Sequence, residues 1–74
     1  MYNSETIQKI YRMDRHKIHL LRFILEGYDG MAMARTLDPK KGRVIIHIAP
    51  GCEDDIEMLI KDLSKEIMIY LERP

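Results

Sequence analysis

Cys52, His16, His19 and His47 are the residues whose types could support nucleophilic, redox or metal chemistry. Cys52 opens a helical segment, and the positive end of a helix favours a thiolate. Glu53, Asp54 and Asp55 follow it directly, and their negative charge disfavours one. A Cys–His nucleophile also needs an imidazole within hydrogen-bond reach of the sulfur. His16 and His19 lie in the first helical segment, whose start is placed at the other end of the molecule, and His47 lies on a strand face. Cys52 therefore reads as a small residue packing a strand-to-helix corner, with a reactive thiol as the alternative. His16 and His19 share a helix face at a three-residue step, but two ligands are too few for a metal site and no third is placed. No catalytic signature emerges, so the expectation is a non-enzymatic protein with no cofactor or metal.

A second kind of chemistry is anion binding. Residues 1–43 carry nine Lys/Arg and five Asp/Glu, whereas residues 44–74 carry three and seven. The halves are +4 and −4, so a formal net charge of zero hides a polarised chain. Arg12, Arg15, Lys17, Lys40, Lys41 and Arg43 form a basic group that could hold an anionic ligand, while Asp29, Glu53, Asp54 and Asp55 form an acidic one. Arbitrary asymmetry of a solvated surface is the plain alternative, and head-to-tail attraction is another.

The elements that position these groups follow from periodicity and turn chemistry. Thr6–Met13 reads as a half-buried strand, with Ile7, Tyr11 and Met13 on one side and Lys9 and Ile10 breaking the alternation. Asp14 is an N-cap. Ile18, Leu21, Ile24, Leu25 and Tyr28 then form a helical stripe, with His16, His19 and Phe23 on the opposite side and Gly27 and Gly30 at the end. Met31–Leu37 is a second strand, Asp38-Pro39-Lys40-Lys41-Gly42 a hairpin loop, and Arg43–Ala49 a β-branched third strand. Pro50-Gly51 stops it. Cys52–Asp55 opens a second helix striped by Ile56, Leu59, Ile60, Leu63 and Ile67, Met68–Leu71 is a short last strand, and Pro74 ends the chain.

That order predicts an α+β fold, the ferredoxin-like split β-α-β-β-α-β sandwich. Its four-stranded antiparallel sheet takes the order 4-1-3-2, with two helices on one face. One domain over residues 1–74 is expected from the length, and 46% hydrophobic with 32% charged residues fits a globular chain. One cysteine makes no internal disulfide, and no apolar run approaches the roughly 20 residues of a membrane helix. The polar start Met1–Glu5 lacks a signal-peptide layout, so a soluble, cytoplasmic protein is expected.

Two helices cover one sheet face only. The other should be polar in a solvated monomer, yet Ile45 and Ala49 lie beside Arg43 and His47, and the second and last strands are apolar on both sides. A chain this short buries only about 60% of its unfolded surface, so a partner would add needed stability. The expectation is a homodimer through the open sheet face or edge, with Ile45 and His47 on the self-association face. Nucleic acid is not an expected partner, because the central strands lack outward aromatics and the chain is neutral.

The runs Tyr11–Asp14, Phe23–Gly30, Arg35–Pro39 and Ala49–Glu53 resemble a family of short bacterial proteins, mostly from anaerobes, catalogued as a domain of unknown function. The resemblance implies a bacterial cytoplasmic origin and no stated activity. The chain is also more broadly similar to ACT-type regulatory domains, which share this element order, pair through their sheets and bind amino acids. That similarity implies a small-molecule sensor as the alternative function. The ACT ligand loop after the first strand typically carries a glycine, and Asp14-Arg15-His16-Lys17 has none.

Overall fold

The alternation Ile7, Lys9, Tyr11, Met13 against Gln8, Ile10, Arg12 defines the first strand, β1 (Ile7–Met13), and with it the two sides of the sheet. The computed structural model describes residues 6–73; the readings made for Met1–Glu5 and Pro74 lie outside the described residues. Behind β1, Asp14 accepts the His16 N–H at 2.9 Å and starts a 3-10 turn, Arg15–Lys17. Helix α1 (Ile18–Glu26) begins only after it, because Lys17, at φ −111° and ψ 6°, is not yet helical. Strand β2 (Ala32–Asp38) and strand β3 (Arg43–Ile48) form a hairpin. Asp38, expected in the loop, instead pairs with Arg43 across a register shift at Thr36/Asp38. Its carboxylate still makes the turn, accepting the N–H groups of Lys40 and Lys41.

Helix α2 (Glu53–Leu63) carries Glu53, Asp54 and Asp55 in its first turn, where they complement the helix dipole. It stops at Leu63, so Ile67 packs on the core from the following turn rather than from the helix. Strand β4 is only Ile69–Leu71.

The sheet order is β2-β3-β1-β4, with every pairing antiparallel. This is the expected 4-1-3-2 order, and with its two helices the chain is an α+β split sandwich of the ferredoxin-like kind. Val44, Ile46 and Ile48 on β3 are wholly buried and meet Leu21 of α1 and Ile56 of α2 in one core. Each such side chain contributes about 1.5–3 kcal/mol relative to exposure. Phe23, opposite that stripe on α1, is 71% exposed. Among the described residues no helix is long and apolar enough to cross a membrane.

One glycine is fixed by geometry. Gly42 sits at φ +72°, and a Cβ there would lie 2.0 Å from the Met13 carbonyl oxygen. The close approach lets the Gly42 carbonyl accept the Met13 N–H at 2.8 Å, closing the end of the β1/β3 ladder.

Candidate functional site

The side of the sheet away from the helices is set by strand parity. It carries Gln8, Ile10 and Arg12 from β1, Arg43, Ile45 and His47 from β3, and Met33 and Arg35 from β2. Tyr70 and Glu72 complete it beside β1. The register arranges them in rows across the strands. Tyr70 neighbours Arg12, which stands opposite Arg43. The Glu72 N–H bonds the Ile10 carbonyl, Ile10 stands opposite Ile45, and Ile45 opposite Arg35. Gln8, His47 and Met33 make the last row.

The face is therefore apolar in part. Expected as greasy, it holds an ion cluster at the hairpin end and an isoleucine pair at its middle. The Arg43 guanidinium donates to both Glu72 carboxylate oxygens, through Nε at 3.1 and 3.2 Å and Nη2 at 2.8 Å. Arg12 reaches the same carboxylate at 3.5 Å and donates from Nε to the Lys41 carbonyl. The Arg43 hydrogen bond holds the Glu72 carboxyl below its ordinary pKa, with the charge of Arg12 adding to it, and Glu72 in turn raises Arg43.

The basic group named from the sequence thus divides. Arg12 and Arg43 belong to the open face and share Glu72. Arg15, Lys40 and Lys41 border a shallow depression at the hairpin end together with Met13, Asp14, His16 and Met68. Lys17 is exposed and does not line that depression. Asp14 uses its carboxylate on the His16 N–H and ring, and the backbone hydrogen bond chiefly lowers its pKa. Ile45 and His47 lie on the open face as expected, both half-buried.

Cys52 is a free, half-buried cysteine at the α2 N-cap. Its side chain makes no capping bond, and it packs against the core. Among the described residues no group of three or more His, Cys, Asp or Glu is placed to hold a metal ion.

Two residues that shape the open face, Glu72 and Arg35, carry no sequence motif. The signal for Glu72 was the alternation after Tyr70, which sets it on the same side as Arg12. Lys9, which breaks the β1 alternation, lies on the helix side and pairs with Glu57 of α2, a bond that chiefly raises the lysine's pKa.

No curated protein and no solved structure matches the chain. A family does, over residues 11–67, a span that holds all four runs on which the bacterial resemblance rests. On that match the chain belongs to the family described as Domain of unknown function (DUF4911).

Proposed function

We propose that this domain is a non-enzymatic module that pairs with a second copy of itself, open sheet face to open sheet face. The observation that carries the reading is the row Glu72, Ile10, Ile45, Arg35, which has an acid at one end, a base at the other and isoleucines between. A two-fold axis parallel to the strands lays this row on its own copy in reverse. Ile10 then meets the partner's Ile45, and Glu72 meets the partner's Arg35. The row is self-complementary, as an isologous interface requires. Gln8 and His47 face one another's copies in the same way, and both carry hydrogen-bonding side chains. The same axis brings Arg12 against the partner's Arg43 at the hairpin end, so the reading relies on the two Glu72 carboxylates to offset the guanidiniums there.

Size agrees with a modest affinity. The molecule spans only 29 by 22 Å along its two longest axes, so any contact through one face is at the small end of stable interfaces. Zero net charge removes long-range repulsion between copies. The test is light scattering on Ile45→Asp, which places a carboxylate against apolar surface. The reading expects the wild type to associate at micromolar concentration and the variant to lose that contact. An unchanged mass in the variant contradicts it.

A second reading is ACT-like sensing of an anionic small molecule, favoured by the convergence of Arg15, Lys40 and Lys41 on one depression. Thermal shift against amino acids and phosphorylated metabolites tests it. A ligand at about 100 times its Kd adds roughly 2.7 kcal/mol of stability, and no shift across the panel counts against it.

A further inference from the structure

The two edges of the sheet differ. β4 pairs with β1 over Ile69–Leu71 only, whereas β2 runs the length of the sheet. In an antiparallel ladder, residues alternate between bonding the neighbouring strand and pointing their backbone groups away from it. The Ala49 N–H bonds the Met31 carbonyl, which sets the alternation in the β2/β3 pair. Met33 and Arg35 then bond β3, and the N–H and C=O groups of Ala32, Ala34 and Thr36 point outward from the sheet. Among the described residues no strand pairs with this edge, and an edge of this length is a template for another strand. α1 packs over β2, and the charged residues Arg22, Glu26 and Asp29 border the groove along Ala32, Met33 and Ala34, Asp29 beyond the end of the helix.

We infer that the β2 edge is a second contact between copies of this chain, in which β2 pairs antiparallel with the partner's β2 about a two-fold axis at Met33. Ala32 and the partner's Ala34 then exchange backbone hydrogen bonds. Charge rules out one rival register. A pairing centred on Arg35 would oppose two arginines on one face, which is destabilising. A pairing centred on Met33 sets Arg35 opposite the partner's Met31. The same axis reverses α1 against its copy. Arg22 and Glu26, one helical turn apart on the side facing the groove, then lie across from the partner's Glu26 and Arg22. Opposite charges meet on both sides of the axis.

The edge contact is independent of the open-face reading, and the two are compatible. The edge axis is perpendicular to the sheet and the face axis parallel to the strands. Used together they do not close, because the edge axis lies outside β2 and the face axis over the β1/β3 pair; the two do not intersect, and copies add in an open row.

Sedimentation of the full chain, with amide exchange at Ala32 and Ala34, separates the contacts. The wild type is expected to grow past two copies as concentration rises, and Ile45→Asp to stop at an edge dimer whose Ala32 and Ala34 amides exchange slowly at high concentration and fast on dilution. Arg22→Glu, an exposed change on α1, is expected to weaken the edge pair several-fold, and adding Glu26→Arg to restore it. Fast exchange at Ala32 and Ala34 at every concentration, or an Arg22→Glu effect that Glu26→Arg does not reverse, overturns the edge proposal. If those amides are protected while Ile45→Asp leaves the mass of the wild type unaltered, the edge stands and the open-face reading fails.

Discussion

Arg12 and Arg43 stand directly opposite one another in the β1/β3 ladder, and both reach the single carboxylate of Glu72. Because Met13 and Gly42 form a hydrogen-bonded pair, Arg12 and Arg43 fall at a non-bonded position, where side chains come closest. Like charges directly opposite are destabilising. Glu72 offsets them, and in doing so ties the end of the short β4 to the middle of the sheet.

Glu72→Gln is therefore expected to lower Tm at pH 7. Its folded pKa is depressed by Arg43 and Arg12, so the carboxylate's contribution is present above the unfolded carboxyl pKa. That contribution is lost as pH falls through the lower folded value. Thermal melts of both proteins from pH 7 down to pH 3 check this: the gap between wild type and Glu72→Gln should close on acidification. A gap that persists at low pH would assign the effect to packing.

Gly42→Ala should be among the most damaging small substitutions. The added Cβ would lie 2.0 Å from the Met13 carbonyl oxygen, in addition to the left-handed strain at φ +72°. Gly30→Ala supplies the comparison, since Gly30 has φ +80° but a Cβ there meets nothing within 4 Å. The strain alone costs about 1–2 kcal/mol, and Gly42→Ala should exceed that by a clear margin in urea denaturation. Equal losses at the two sites would show that the ladder end yields easily.

Most of the fold is legible in the residue pattern, and the reasons are local. Val44, Ile46 and Ile48 alternate with Arg43, Ile45 and His47, and the two helical stripes keep their periods, so element order and inward faces followed. Boundaries failed where tertiary contacts decide them. Asp38 joins β2 because Arg43 pairs with it, and Ile67 leaves α2 although its spacing is helical. The basic residues read as one group because sequence proximity and topology bring them to one end of the molecule. The group divides because strand parity sets Arg12 and Arg43 on the open face, where Glu72, distant in sequence, holds both.

Adjacent residues on β3 should respond differently to truncation. Ile46 is wholly buried, so Ile46→Ala should cost about 2–5 kcal/mol at every protein concentration. Ile45 lies half-buried on the open face. If the open face packs on a second copy as proposed, Ile45→Ala should cost little in dilute protein and more as concentration rises. Denaturation at two protein concentrations measures this, and a concentration-independent loss at Ile45 argues against an intermolecular role.

Cys52→Ala tests the packing reading of the thiol. Cys52 makes no capping bond and sits half-buried at the α2 start, so the variant should stay folded, lose at most about 1 kcal/mol and keep its oligomeric mass. Loss of association in Cys52→Ala, or loss of wild-type association on adding a reductant, would point to a role for the sulfur itself.

The central claim, that this domain associates through its uncovered face, meets its most direct measurement in sedimentation equilibrium of the untagged 8.8 kDa chain over a wide concentration series. A mass that climbs with concentration above that of one chain, and falls when Ile45 is made Asp, is the predicted result. A mass that holds at one chain throughout contradicts the account.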